Sequence, residues 1–170
     1  MKKTSEKMRT VLVGVAGSKN AYSVSLYNLK AYAYKYSEVQ ESWDISVIQH
    51  PLIGLFNRDM LLSDLTDKIV SYEPHLVGFS CYMWNIQEFL EIARELSSRL
   101  PNARILLGGP EISREYVQQS YFDEYAVDYL VSGEGEQTFL EVLKHMKNAN
   151  LVLEDITGLS HRSRRNVPFT

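Results

Sequence analysis

The chain has 170 residues, of which 45% are hydrophobic and 23% are charged, and its formal net charge at pH 7 is −3. These values fit one globular domain with its own core, and the weak acidic balance gives no electrostatic reason to expect nucleic acid or an anionic membrane as a partner. No apolar run reaches the roughly 20 residues that span a bilayer, and the N-terminus lacks the apolar core of a signal peptide. The single cysteine excludes an internal disulfide, so a cytoplasmic location is expected.

The first half of the chain predicts two strands and two helices. Residues 1–8 are expected to form a disordered or flexible N-terminus, and the apolar, β-branched residues 10–15 predict the first strand. Apolar residues at helical spacing then predict a first crossover helix buried along the stripe Val24, Tyr27, Ala31 and Tyr34. Residues 43–49 predict the second strand. The helix after it is marked by Leu62, Leu65, Ile69 and Tyr72 and ends before Pro74.

The stretch 76–88, LVGFSCYMWNIQE, is the most informative part of the chain. It opens on an apolar run without polar alternation, which is typical of a strand buried on both faces of a parallel sheet. Asn85 predicts a helix N-cap, with Glu88 completing a capping box. Between strand and cap, Tyr82 and Trp84 stand where a surface turn normally has Gly, Asn or Asp. They indicate either a ligand site at the carboxyl edge of the sheet or side chains that plug the edge of the core.

The second half predicts helices and strands in the same alternation. A strongly amphipathic helix carries Ile86, Phe89, Ala93, Leu96 and Leu100. Residues 104–107 predict the fourth strand, residues 114–122 a short helix and residues 128–132 the fifth strand. The next helix is marked by Phe139, Leu143 and Met146. In the tail, residues 156–161 predict an edge strand, and an arginine-rich exit linker follows.

The alternation predicts an α/β domain over residues 9–150, with residues 151–170 as edge strand and linker. The expected architecture is Rossmann-like and, more closely, flavodoxin-like. It is a doubly wound parallel sheet of five strands in the order 2-1-3-4-5, with helices on both faces. No catalytic residue and no metal ligand is predicted.

Four loops meet at the carboxyl edge of such a sheet, where open α/β sheets bind their ligands. The candidate binding residues in these loops are Gly17, Ser18, Asn20, Ser80, Cys81, Tyr82, Met83, Trp84, Gly108, Gly109, Pro110, Glu111, Gly133, Glu134 and Gly135. Glycine lets a bulky ligand approach the backbone, although ordinary strand-to-helix turns use it too. The loops lack the glycine fingerprint of dinucleotide sites, the lysine of a Walker motif and the clustered aspartates of a receiver domain.

Three motifs, VGFSCYMWN, LLGGPEIS and VSGEGEQTF, carry a family resemblance by their order and spacing. The chain resembles the N-terminal cobalamin-binding domain of cobalamin-dependent radical S-adenosylmethionine (SAM) enzymes, most closely over residues 74–140. The resemblance implies that Ser80, Gly108 and Gly109 flank the pocket for the cofactor's nucleotide tail and that the turn 133–136 closes it. The flat, mostly apolar corrin would need an open apolar platform, which Tyr82, Met83 and Trp84 would provide.

The resemblance also bears on the cobalt. Many cobalamin domains of this fold supply a histidine from an Asp-x-His-x-x-Gly motif after the first strand, whereas residues 14–22 contain neither histidine nor aspartate. His50 follows the second strand at the carboxyl edge, but the neighbouring strand is not the one that delivers the ligand, and His75 is expected at the opposite end of the sheet. The resemblance therefore implies a base-off cobalamin with no histidine ligand.

The cysteine count limits the activity of the chain by itself. A radical SAM enzyme binds a 4Fe-4S cluster through three nearby cysteines, and this chain has only Cys81, for which packing beside a strand is preferred. SAM and the cluster are therefore expected in a radical SAM catalytic domain outside this sequence, in cis or in trans, and the chain alone is not expected to catalyse a reaction. The predicted function is to hold cobalamin for methyl transfer. A flavin- or nucleotide-binding module and a protein-interaction module are the alternatives.

Overall fold

The structure is a computed structural model of the chain, and it describes residues 6–16, 23–51, 58–112, 119–148 and 152–162. Its strands are β1 (Met8–Ala16), β2 (Trp43–Pro51), β3 (Leu76–Ser80), β4 (Arg104–Gly108), β5 (Tyr129–Val131) and β6 (Leu159–His161). Its helices are α1 (Val24–Ala33), α2 (Ser37–Ser42), α3 (Arg58–Ser71), α4 (Ile86–Arg99), α5 (Gln119–Asp123) and α6 (Glu136–Lys147). A short 3₁₀ helix, Leu153–Asp155, precedes β6.

The described strands form one sheet in the order β2-β1-β3-β4-β5-β6. The first five are parallel, so the predicted order 2-1-3-4-5 and the flavodoxin-like fold are confirmed. The sixth pairs antiparallel with β5, within the stretch where the tail predicted an edge strand. Residues 1–5 lie outside the description, and Met8, expected in the flexible N-terminus, is already part of β1.

Each face of the sheet has its own core, because successive side chains of a strand point to opposite sides. On β3, Val77 and Phe79 pack in a core with α3 and α4. Leu76 packs in the other core with α1 and α6, and Ser80 points to that same side. The helices α4 and α6 are amphipathic as predicted, and the residues marking their stripes are largely buried.

The stripe predicted for α1 is wrong. Val24 is 65% exposed and Tyr27 45% exposed, whereas Leu26 is buried against the sheet. The reason lies in β1, where a Cβ on Gly14 would come within 2.9 Å of Leu26 Cδ1. Leu26 therefore fits over the one position of the strand without a side chain, and this contact sets the rotation of the helix.

Two shorter elements differ from expectation. The helix α2 was not predicted, and the helix predicted over residues 114–122 is described from Gln119 onward, since residues 113–118 lie outside the description. The hydroxyl of Tyr34, predicted on the buried stripe of α1, instead accepts a hydrogen bond of 2.9 Å from the Ile45 N–H of β2. The Tyr34 hydroxyl thus satisfies one outward N–H of the edge strand β2. Unpaired N–H groups on an edge strand can pair with another chain.

Candidate functional site

A cavity of about 660 Å³ opens at the carboxyl edge, between the sheet and the helices α1 and α6. Its floor consists of the small residues Gly78, Ser80 and Gly108, with Leu12 and Leu106 beside them. The volume lies within the roughly 300–1,000 Å³ typical of small-molecule sites. Mostly apolar walls with a few polar groups are also typical of such sites.

Gly78 was not among the predicted site residues, although it creates the depth of the cavity. A Cβ at this position would lie 2.9 Å from Leu12 Cδ2 and 3.8 Å from Leu106 Cδ2. Any side chain there would collide with Leu12 and fill the space above the strand. A glycine inside an apolar strand signals close approach of another group, and this signal was present in the sequence.

Gly109 joins two loops of the edge. Cys81 N–H donates a hydrogen bond of 2.6 Å to Gly108 O, and Glu111 N–H donates one of 3.3 Å to Cys81 O. The φ angle of Gly109 is +108°, and a Cβ would lie only 2.6 Å from Cys81 O. Glycine is required at this position because the backbones of the two loops touch.

The side chain of Cys81 lies on the face away from the cavity. It is fully buried in the core formed with α3 and α4, and its Sγ is 3.8 Å from Phe79 O. Burial raises the pKa of this thiol far above its ordinary value, so it stays protonated and unreactive. The geometry matches the packing role preferred from the sequence.

The loop after β3 carries two aromatic rings in a stack. The rings of Tyr82 and Trp84 have centroids 4.6 Å apart and planes inclined by 12°. Tyr82 lines the cavity, whereas Trp84 is 54% exposed and Met83 is 78% exposed. The exposure of Trp84 does not fit a side chain that plugs the edge of the core, which was the alternative left open by the sequence for Tyr82 and Trp84, whereas Tyr82 is half-buried.

Asn85 begins α4 as predicted, but the capping box is wrong. Its side chain turns back into the loop, where Oδ1 accepts from Tyr82 N–H at 2.7 Å and Nδ2 donates to Ser80 O at 3.2 Å. Glu88 forms an ion pair with Arg58 of α3, with Oε1 3.3 Å from Nε. The Asn85 amide therefore forms hydrogen bonds with backbone groups of the loop and does not cap the first turn of the helix.

The turn after β5 forms another wall of the cavity. Gly133 has a φ of +84°, and Gly135 lies near Leu29 of α1. Glu134 is exposed at the mouth. Ser132 Oγ is buried and has no hydrogen-bond partner among the residues that the structure describes, so a polar group remains to be satisfied beside the cavity.

The structure brings about half of the predicted residues together. Those lining the cavity are Ser80, Tyr82, Gly108, Gly109, Pro110, Gly133, Glu134 and Gly135. Those near the edge but outside the lining are Cys81, Met83, Trp84 and Glu111, and Gly17, Ser18 and Asn20 lie outside the described residues. Lining residues that the sequence reasoning missed include Leu12, Ser25, Leu26, Leu29, Gly78, Leu106, Ile112, Val131, Ser132, Glu136 and Phe139. Several of these sit within strands or on α1, whereas the predictions came from loops alone.

The histidines lie away from the cavity. All four are within the described residues, and none of them lines it. His75 lies at the opposite, amino edge of the sheet, where its Nδ1 accepts from Arg9 N–H at 3.0 Å. Across the described ranges no group of three or more His, Cys, Asp or Glu is placed to hold a metal ion, and no helix there is long and apolar enough to cross a membrane.

Taken together, the doubly wound sheet and the cavity at its carboxyl edge define a flavodoxin-like cofactor-binding domain. The chain belongs to the B12 binding domain family, which it matches over residues 39–143, more than half of its length. The resemblance drawn from the three loop motifs is thereby confirmed.

Three relatives found by comparison with known proteins are all named as methyltransferases. The chain is 34% identical over 83 residues to the cobalamin-dependent radical SAM methyltransferase TokK of Streptomyces tokunonensis, covering 48% of this chain and 12% of TokK. It is 29% identical over 116 residues to 2-(S-pantetheinyl)-carbapenam-3-carboxylate methyltransferase of Streptantibioticus cattleyicolor, covering 68% of this chain and 15% of that enzyme. An uncharacterized methyltransferase of Pyrococcus horikoshii is 27% identical over 136 residues, covering 79% of this chain and 28% of the relative. The chain thus spans less than a third of the length of each.

Two solved structures share the fold. The cobalamin-dependent SAM radical enzyme OxsB superposes with a TM-score of 0.66 at 20% identity, over 94% of this chain and 21% of OxsB. The isolated receiver (REC) domain of RcsB from Salmonella enterica serovar Typhimurium superposes with a TM-score of 0.55 at 9% identity, over 86% of this chain and 93% of that domain. At these identities the likeness concerns the fold alone.

Proposed function

We propose that this chain holds cobalamin for a radical SAM methyltransferase, with the cofactor's nucleotide tail in the cavity between the sheet and α1 and α6. The observation that carries the proposal is the floor of the cavity, where Gly78, Ser80 and Gly108 leave a slot with no large side chain. When bound, cobalamin supplies a cobalt centre that can accept and donate a methyl group. The protein's own residues bind and orient it.

The residues of the cavity fit such a group. The nucleotide tail has a flat base that suits the apolar walls formed by Leu12, Leu106 and Phe139, and a ribose and phosphate that need hydrogen-bond donors. The Ser80 hydroxyl is available at the floor. Ser132 Oγ is buried without a partner among the described residues, so a ligand group able to reach it would satisfy it. The half-buried ring of Tyr82 and the exposed ring of Trp84 then offer a platform for the corrin outside the slot.

The proposed state of the cofactor is base-off with no histidine ligand. The support is that no histidine lines the cavity among the described residues and that the loop after β1 contains none in its sequence. The cofactor's own base would occupy the slot, away from the cobalt. Removing a strong axial nitrogen favours the reduced cobalt states that accept a methyl group, which suits methyl transfer.

The proposed partner is a radical SAM domain carrying SAM and a 4Fe-4S cluster. The support is that three cysteines are needed for the cluster, whereas the one cysteine here is buried and protonated. The named relatives are methyltransferases several times longer than this chain. The reaction and its substrate would therefore depend on residues outside this sequence.

Titration with hydroxocobalamin, followed by its visible absorption bands, tests the proposal. Saturable one-to-one binding at micromolar protein is expected, and a parallel titration with flavin mononucleotide should show none. Binding of the flavin instead of the cobalamin would overturn the proposal. Electron paramagnetic resonance of the bound cobalt(II) form tests the axial ligand, because a nitrogen there splits the cobalt lines into triplets, and their presence would contradict the base-off, histidine-free state.

A further inference from the structure

The loop from Ser80 to Asn85 is closed by one buried amide. Asn85 is only 2% exposed. The two residues that precede it, Met83 and Trp84, are among the most exposed apolar side chains of the described chain. Its Oδ1 accepts from Tyr82 N–H and its Nδ2 donates to Ser80 O. A single side chain therefore ties the last residue of β3 to the middle of the loop.

The orientation of this amide is fixed by its neighbours. One partner is a backbone N–H, which can only donate, and the other is a backbone carbonyl, which can only accept. Flipping the amide would place Nδ2 against the N–H and Oδ1 against the carbonyl, and both hydrogen bonds would be lost. The contact is specific for asparagine, since an aspartate keeps the acceptor but has no donor for Ser80 O.

The helix α4 does not need this side chain in order to begin. Ile86 N–H donates to Tyr82 O at 3.1 Å, and Phe89 N–H donates to Asn85 O at 3.1 Å, so the first turn is held by backbone groups alone. Helix packing is carried by buried apolar residues further along. Loss of the Asn85 amide would consequently release the loop more than the helix.

We propose that Asn85 is a positioning residue for the cofactor site. It holds Ser80 at the floor of the cavity and Tyr82 at its wall before any ligand arrives, and it fixes the ring on which Trp84 stacks. This inference rests on the proposed function for the identity of the ligand, but the positioning of the loop is a property of the free protein. A site organised in advance binds more tightly, because the ligand does not have to order the loop.

The test compares Asn85→Ala and Asn85→Asp with the wild type. Trp43 is buried, so quenching of tryptophan fluorescence by iodide reports on Trp84. In the free protein, Asn85→Ala should raise the quenching constant as the stack with Tyr82 loosens. It should also raise the Kd for hydroxocobalamin about tenfold or more, the effect of losing a hydrogen-bonded arrangement worth about 1.4 kcal/mol. Asn85→Asp should fall between the Ala variant and the wild type in the quenching assay.

A matched control is Thr66→Val in α3. Thr66 Oγ1 donates to Leu62 O at 2.8 Å and is buried on the other face of the sheet, so this variant also removes a buried hydrogen bond. It should lower the melting temperature without changing quenching or affinity. If Asn85→Ala behaves like Thr66→Val, the side chain is only structural and the proposal is overturned. If Asn85→Ala does not fold, the same comparison is made with Asn85→Asp.

The two proposals fail in different ways. If the wild type does not bind hydroxocobalamin but Asn85→Ala changes Trp84 quenching, Asn85 positions the loop and the assigned cofactor is wrong. If the wild type binds and Asn85→Ala binds within about twofold of it with unchanged quenching, the cofactor stands and the positioning role is refuted.

Discussion

At the scale of single residues, Gly108 and Gly109 are neighbours with different constraints. A Cβ on Gly108 would make only ordinary contacts, the nearest being 3.6 Å from Val131 Cβ. A Cβ on Gly109 would meet the Cys81 backbone at 2.6 Å, and φ there is +108°. A side chain at 108 is therefore compatible with the local backbone but extends into the cavity, whereas any side chain at 109 disturbs the contact between two loops.

The first prediction uses this difference. Gly108→Leu should fold with little loss of stability yet fail to bind hydroxocobalamin, because leucine fills the slot. Gly109→Ala should lower the free energy of unfolding by about 1–3 kcal/mol through backbone strain. Urea unfolding and visible titration measure the two effects. A folded Gly108→Leu protein with wild-type affinity would show that the ligand does not use this cavity.

Trp84→Ala tests whether the exposed ring serves the cofactor. We expect affinity for hydroxocobalamin to weaken by about 1–3 kcal/mol through lost apolar contact, while stability changes little because the ring is 54% exposed. Tyr72→Ala, which removes another exposed ring at the far end of α3, is the control and should bind normally. Normal binding by Trp84→Ala together with easier unfolding would instead assign the ring to the core.

His75 makes the amino edge of the sheet sensitive to pH. Burial lowers its pKa below the usual value, with the positive charge of Arg9 acting in the same direction. The unfolded chain therefore takes up the proton at higher pH than the folded chain does. Its neutral form is compatible with the Nδ1 acceptor for Arg9 N–H, so this contribution to stability is complete above about pH 6.5 and is lost as the pH falls below that value.

Urea unfolding between pH 8 and pH 5 checks the sign of this effect. His75→Asn offers an uncharged acceptor in a similar place, and its stability should fall less steeply than that of the wild type over this range. Equal slopes for the two proteins would mean that His75 does not contribute to the pH dependence.

At the scale of elements, most strands and helices could be predicted from the sequence, but the face that each one turns toward the core could not always be predicted. The amphipathic pattern of α4 was unambiguous, so its buried face was predicted well. The helix α1 presents apolar residues on more than one side. The side that is buried is the one on which Leu26 packs over Gly14. Similarly, the cap of α4 depended on which backbone groups the Asn85 amide would satisfy. Both outcomes depend on contacts between distant segments, which local pattern does not contain.

The fit of α1 over β1 leads to a prediction. Gly14→Ala should lower the free energy of unfolding by about 1–3 kcal/mol, because its Cβ would lie 2.9 Å from Leu26 Cδ1 and 3.1 Å from Ser23 Cβ. Gly135→Ala is the control, since its nearest contacts are 3.5 Å, and it should cost less. Thermal unfolding measures both. If Gly14→Ala is as stable as the wild type, another contact sets the rotation of the helix.

At the scale of the whole molecule, the sheet order and the edge that bears the site were predictable, because parallel strands with crossover helices place their loops on one edge. Two residues of the cavity floor, Ser80 and Gly108, were predicted, whereas Gly78 was not. The set of residues that form the floor depends on which alternate residues of β1, β3 and β4 face α1 and α6, and that follows from the register of the strands. Gly78 is the clearest case: it lies in the motif VGFSCYMWN, but it was assigned to the strand and was therefore left out of the predicted site residues.

The crystal structure of the chain with hydroxocobalamin would test the central claim most directly. We expect the nucleotide tail to lie between the sheet and the helices α1 and α6, in contact with Gly78, Ser80 and Gly108. We also expect the cofactor's base to lie away from the cobalt and no histidine to be bound to the metal. Cobalamin found only on the outer surface, with the cavity unfilled, or with its cobalt held by a histidine, would contradict the account.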